Sequence, residues 1–192
     1  MSNDPIVRFN EVLSRAEESG IELPNAAAFA TTGKDSQPTV RMLLLKHVDK
    51  RGFVFYTNMR SRKARQLEEN TRASACFWWS QLEQQVRVEG PVEAVTDEEA
   101  NAYFAARPRG SQIAAWASNQ SSELLSRDDL MAAVESVSVK YMDRPIPRPP
   151  HWSGYRLVPE RIEFWVGKPD RLHERYLYTR ERDGWKISLL AP

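Results

Sequence analysis

Apolar positions recur along this chain with two different periods, and the changes of period mark its elements. Asp4 and Pro5 form a good helix start, and Ile6, Phe9, Leu13 and Ala16 follow at helical spacing until Gly20 stops them. From Ala26 the pattern shifts to short β-rich runs at 26–31, 38–46 and 53–57, separated by turns at 33–36 and 49–52, which predicts an antiparallel meander. A brief helix over 61–69 ends at Asn70. Strands are then expected at 73–79 and 84–90, with 91–95 continuing past a bulge or corner. Thr96 and Glu99 make a capping box for a helix that runs to about Arg107, where Pro108 stops it. A helical piece at 112–117 follows, and another begins near Ser126, with Leu130, Val134, Val137 and Tyr141 spaced as one buried stripe. The proline-rich segment 145–150 is a stiff connector to strands at 154–158, 161–166, 174–180 and 185–190, the last two joined by the hairpin signal Asp183-Gly184.

The total is about eight strands and about three or four helices, without βαβ alternation. Strands flanking a helical insert in this way favour a closed or partly closed antiparallel barrel decorated by helices. With 192 residues, one core is the default. Six Trp, six Tyr and seven Phe exclude a disordered chain. The formal charge of +1 supplies no overall field for nucleic acid or anionic membrane, so any polyanion site must be local. A single cysteine, Cys76, excludes an intramolecular disulfide and a multi-cysteine metal cluster, and fits a reducing, cytoplasmic setting. Neither a signal peptide nor a membrane span of ~18 apolar residues is expected.

Nucleotide, zinc-protease and hydrolase motifs are absent, and His47, His151 and His173 are too scattered in sequence for an expected metal site. Cationic clusters carry the remaining signal. Arg41 and Lys46 lie on opposite faces of an apolar strand. Tyr56 and Thr57, followed by Ser61, Arg62 and Lys63 at a helix start, could hold a phosphate monoester. Tyr103 and Arg107 share a helix face at i, i+4, with Ser111 just beyond. Arg171, His173 and Arg175 alternate onto one strand face beyond Trp165. Each cluster also has a plainer reading: strand-end or helix-end charges paired with carboxylates, a solvated loop, a core tyrosine, a polar edge strand.

Together the clusters resemble the pyridoxamine 5′-phosphate oxidase family. IEFW at 162–165 with RLHER at 171–175 is similar to the family's C-terminal signature, and RMLLLK at 41–46, FYTN at 55–58, SRKA at 61–64, QVRVEG at 85–90, RPRGSQI at 107–113, NQSS at 119–122 and LAP at 190–192 follow in family order. The resemblance covers nearly the whole chain. It implies an α+β, mainly β fold: a single antiparallel FMN-binding split barrel of Greek-key type over 1–192 with peripheral helices, a helical insert at about 96–142 and a C-terminal dimerisation segment at about 151–192. It further implies a homodimer with FMN at the interface. FMN would be held by Arg41, Met42, Leu45, Lys46, Tyr56, Thr57, Arg62, Lys63, Gln85, Gln120, Ser121, Trp165 and Arg175. Substrate phosphate would fall to Lys46, Tyr103, Arg107 and Ser111, with Arg171 and His173 as catalytic residues over the pyridine ring. No metal is implied.

The implied reaction is oxidation of pyridoxamine or pyridoxine 5′-phosphate to pyridoxal 5′-phosphate, with a hydride to flavin and electrons to O2, giving H2O2. Two phosphates bring about −3 to −4 charges into one cleft, which accounts for separate cationic clusters in a nearly neutral chain. A same-fold flavin oxidase acting on another aromatic, of the phenazine-precursor type, is one alternative. Lys46, Tyr103, Arg107, Ser111, Arg171 and His173 argue against it, because a phosphate-free substrate leaves their anion pocket unneeded. A flavin- or pyridoxal-phosphate-binding protein without turnover is another.

Overall fold

The computed structural model describes residues 2–192, and its first element shows how the core is closed. Helix α1 (Pro5–Glu18) is capped by Asp4, whose side chain accepts from the Ile6 amide at 2.8 Å. Its buried face, Ile6, Phe9, Val12 and Ala16, covers the mouth of a sheet. Phe9 meets Phe53 and Phe77 edge-on, each with ring centroids 4.9 Å apart.

That sheet consists of β1 (Ala26–Thr32), β2 (Pro38–Leu44), β3 (His47–Asp49), β4 (Gly52–Asn58), β5 (Arg72–Trp79), β6 (Gln84–Ala94), β7 (Trp152–Leu157), β8 (Arg161–Val166), β9 (Glu174–Glu181) and β10 (Gly184–Leu190). The order β10-β9-β8-β6-β5-β1-β2 forms one path, and β4 joins β3 and β7, with β7 also on β6. Every pairing is antiparallel. The long strand β6 divides its partners: residues from Gln84 to Glu89 pair with β8, and Val92 to Ala94 pair with β7. The sheet therefore curls into a half-barrel, and the expected α+β split barrel is the fold observed. Lys46 N donates to Val54 O at 2.9 Å, bringing the chain beyond β2 alongside β4.

Helices α2 (Arg62–Glu69), α3 (Asp97–Ala105), α4 (Arg109–Ala117) and α5 (Arg127–Lys140) complete the chain. Phe104, Tyr141, Ile146 and Trp152 form a second small core that seats the helical insert on β4 and β7. The capping box at Thr96 and Glu99 forms as its sequence predicts. The 91–95 segment continues from 84–90 through a corner, as expected, within the single strand β6. Two expectations are revised: β3 is an additional strand, and the Leu130–Val137 stripe of α5 is only half buried because α5 packs on α4 near the surface rather than on the barrel.

The division of β6 requires a residue without a side chain at its bend. A Cβ on Gly90 would lie 2.0 Å from Val158 O. Gly90→Ala is therefore expected to destabilise the fold by more than about 2 kcal/mol. Urea unfolding followed by tryptophan fluorescence checks this, and an unchanged midpoint would refute it.

Candidate active site

β2, β4, α2 and the helical insert surround three adjoining clefts of about 460, 310 and 440 Å³. The first is lined by Arg41, Met42, Arg62, Lys63, Gln120 and Ser121 among others, and meets the second at Leu43 and Gln120. The second and third share Leu43, Tyr56, Arg107 and Trp152, and the third adds Lys46, Tyr103 and Leu23. The result is one groove with a cationic cluster at each end and aromatic rings between them.

At the first end, α2 starts from Ser61, whose hydroxyl caps the Ala64 amide and accepts from Lys63 Nζ at 3.2 Å. Lys63 Nζ also donates to Thr57 Oγ1 at 2.8 Å and Gln120 Oε1 at 3.3 Å. Burial, then the charge of Arg41, lowers the Lys63 amine to about 8. Arg41 is likewise held below its ordinary value by burial and by Arg62. It donates to Phe29 O at 2.9 Å, Thr31 Oγ1 at 2.7 Å and Thr39 Oγ1.

At the other end Tyr56 stacks on Tyr103 at 4.1 Å and on Trp152 at 5.3 Å. Its hydroxyl donates to Glu99 O, and burial followed by the charge of Glu99 raises its pKa. Arg107 lies over the Trp152 ring at 4.8 Å, and its buried Nη1 has no hydrogen-bond partner. Burial lowers its pKa.

Among the described residues, Arg41, Lys46, Arg62, Lys63 and Arg107 have no carboxylate within ion-pair distance, whereas Arg51, Arg72, Arg87, Arg148, Arg156 and Arg175 do. The plainer reading of Arg41 and Lys46 as carboxylate-paired strand ends therefore fails. Lys46 also lies beyond β2, which ends at Leu44, so strand alternation does not set its direction. The donor set suits two phosphates: buried Lys63 and half-buried Arg41 and Arg107 without counter-charge, exposed Arg62 and Lys46 beside them, and an orphaned guanidinium nitrogen.

Not every expected residue lines this groove. Leu45 is buried in the main core, and Ser111, in the first turn of α4, is half-buried outside the groove lining. Gln85, Trp165 and Arg175 face one another in register across β6, β8 and β9 on the outer face of the sheet, beside the half-exposed Trp78. Met42 occupies that face from β2, three strands from Gln85, four from Trp165 and five from Arg175, roughly 14 to 24 Å along the sheet at about 4.8 Å per strand. A single chain thus leaves these three residues away from Arg41. His173 lies against Trp165 with ring centroids 4.4 Å apart, and Arg171 is exposed. The expectation that Arg171, His173 and Arg175 alternate along one strand is corrected. β9 begins at Glu174, and Arg171 ends a tight turn in which Asp170 and Arg171 both have positive φ.

Sequence reasoning missed Glu163, Trp152 and Gln66. Glu163 is buried and accepts from Arg175 Nε at 2.8 Å and from Arg87. These charge-assisted bonds outweigh the burial that would raise its carboxyl, and its pKa is lowered. Its place in IEFW, between core positions, was the available signal.

Residues 13–141 match the family described as pyridoxamine 5′-phosphate oxidase, and residues 152–192 match the pyridoxine 5′-phosphate oxidase C-terminal dimerisation region. The chain is 53% identical over 189 residues to a pyridoxine/pyridoxamine 5′-phosphate oxidase from Myxococcus xanthus, covering 98% of this chain and 92% of that protein. A protein of the same name from Burkholderia lata is 49% identical over 195 residues, covering 100% and 91%. Among solved structures, PhzG from Burkholderia lata in complex with tetrahydrophenazine-1-carboxylic acid superposes with a TM-score of 0.95 at 32% identity, covering 100% and 94%. An FMN-binding protein related to pyridoxamine 5′-phosphate oxidase from Nostoc punctiforme shares the fold, with a TM-score of 0.79 at 17% identity and full coverage of both chains. The chain belongs to the pyridoxamine 5′-phosphate oxidase family, a family of oxidoreductases, and carries its dimerisation region, which supports a homodimer. No helix among the described residues is long and apolar enough to cross a membrane.

A phosphate monoester held between Arg41 and Lys63 needs the amine protonated. Its affinity is expected to fall about tenfold between roughly pH 8 and pH 9.5 as the lowered Lys63 loses its proton. Lys63→Arg, which stays charged, is expected to flatten the profile. Titration of FMN by fluorescence quenching checks both; a flat wild-type profile would remove Lys63 from the site.

Proposed function

We propose that the protein is an FMN-dependent oxidase that converts pyridoxamine 5′-phosphate and pyridoxine 5′-phosphate into pyridoxal 5′-phosphate. The observation that carries this reading is the groove with two counter-charge-free cationic ends, one holding the orphaned Arg107 Nη1. When bound, FMN supplies a two-electron acceptor that is reoxidised by O2, with H2O2 as product. The alcohol substrate loses two hydrogens; the amine also takes up water and releases ammonia.

In this reading Arg41, Arg62 and Lys63 neutralise the FMN phosphate, Thr57, Gln120 and Ser121 fix it through polar contacts, and Met42 lines the groove beside the flavin. Lys46, four residues beyond Met42, lines the far cleft, and Leu45 backs that segment from the core. Lys46 and Arg107 take the substrate phosphate, and the unsatisfied Nη1 gains its partner there. Tyr103, stacked on Tyr56, bounds that end, and Ser111 stands at the start of the next helix. Gln85, Trp165 and Arg175, with Arg171 and His173 over the pyridine ring, reach the groove from the second subunit of a homodimer, since one chain holds them apart. Arg171 and His173 stabilise charge on the ring and orient it.

The likeness to PhzG favours one competing substrate class, a phenazine precursor, and the relatives at about 50% identity argue for the phosphorylated pyridines. Oxygen uptake with pyridoxamine 5′-phosphate and with a dihydrophenazine carboxylate separates the two. Peroxide and aldehyde formation only with the former is expected; turnover only with the latter, or flavin binding without oxygen uptake, overturns the proposal. Arg107→Met is expected to lower kcat/KM about 100-fold, mainly through KM, in protein that keeps its flavin. Arg171→Ala is expected to damage turnover more than folding, and near-normal kcat/KM in soluble, flavin-loaded protein would remove its assigned role.

A further inference from the structure

Gln66 is buried on α2, one turn beyond Lys63, and no part of the proposed chemistry uses it. Its Oε1 accepts from two hydroxyls, Thr31 Oγ1 at 2.8 Å and Thr39 Oγ1 at 2.7 Å. Thr31 and Thr39 are a cross-strand pair of β1 and β2, with oxygens 3.3 Å apart. A hydroxyl has one proton and two lone pairs, so a threonine that donates to Gln66 can only accept elsewhere. Both accept from Arg41, one from Nη1 and the other from Nη2. Phe29 O takes the second proton of Nη1. Three of the five guanidinium donors are thus committed. The two that remain, Nε–H and one Nη2–H, lie on a single edge, the fork that binds a phosphate bidentately.

We infer that Gln66 is a positioning residue for phosphate recognition: by holding the Thr31 and Thr39 protons it fixes the Arg41 guanidinium with its free edge available to the cleft that Arg62 and Lys63 also line. This rests on the reading of that cleft as the seat of the FMN phosphate. Because Gln66 shares α2 with Arg62 and Lys63, one side chain sets the spacing between the helix cations and the strand cation.

The test compares FMN with riboflavin, which lacks the phosphate, in flavin-stripped full-length protein titrated by fluorescence quenching. Gln66→Leu is expected to weaken FMN about tenfold and leave riboflavin within about twofold, since only the phosphate senses Arg41. In a Thr31→Val, Thr39→Val background the same substitution is expected to add no further loss. A parallel loss for both flavins, an unchanged preference, or an additive effect in that background overturns the inference. Should Gln66→Leu fail to fold, Thr39→Val alone is expected to show the same selective loss, and wild-type preference in that variant overturns it. A wild-type protein without preference for FMN over riboflavin refutes the phosphate reading itself, a failure visible before any variant is made.

Discussion

The division of β6 at Gly90 is the constraint on which the other features depend. Its first half pairs with β5 and β8, its second half with β7, and the bend lets one sheet serve as both barrel wall and open outer face. Strand pairing leaves no freedom once this is set, because register fixes which side chains share a face. The groove along β2 and β4 and the outer face with Trp78, Gln85, Trp165 and Arg175 are consequences of that one bend. It also holds the two residue sets of one chain apart on one continuous sheet.

Arg156, 1% exposed, is surrounded by Asp49, Glu93 and Glu99, and Arg148 pairs with Asp97, so these two frame arginines have carboxylate partners. Burial would raise Asp49, yet the hydrogen bonds and charges of Arg51 and Arg156 hold it at about 2. These pairs dock the start of α3 on β7 and the β3–β4 turn, which sets Tyr103 against Tyr56 and brings Arg107 over Trp152. Among the described residues, Arg41, Lys46, Arg62, Lys63 and Arg107 have no such partners. Leaving a buried cation such as Lys63 without a counter-charge is costly, and under the proposed function a bound phosphate offsets that cost.

The two ends of the groove are organised differently. The Arg41 end is a polar relay through two hydroxyls and an amide, suited to a fixed tetrahedral anion. The Arg107 end is aromatic, with a guanidinium lying on Trp152 and a tyrosine stack beneath, suited to a flat ring carrying a phosphate. Leu23, at a left-handed φ of 54° and exposed on the rim of that end, adds an apolar edge.

Much of the fold was legible locally. The helix at Asp4-Pro5, the capping box at Thr96, and the hairpin at Asp183-Gly184 follow from backbone chemistry that acts over a few residues. The ordered segments from RMLLLK to RLHER were enough to mark the family. Strand β3 was too short to leave a periodic signal, whereas the corner of β6 was legible at Gly90-Pro91. What only the tertiary structure decided was partnership. Whether Arg41 and Arg107 lack carboxylates, whether Arg175 is tied to Glu163, and whether Gln66 reaches Thr31 and Thr39 depend on contacts between residues on different elements, 12 to 35 positions apart in the pairs formed. Local sequence determines the conformation each segment prefers; which charges are left without a counter-ion is a property of the assembled sheet.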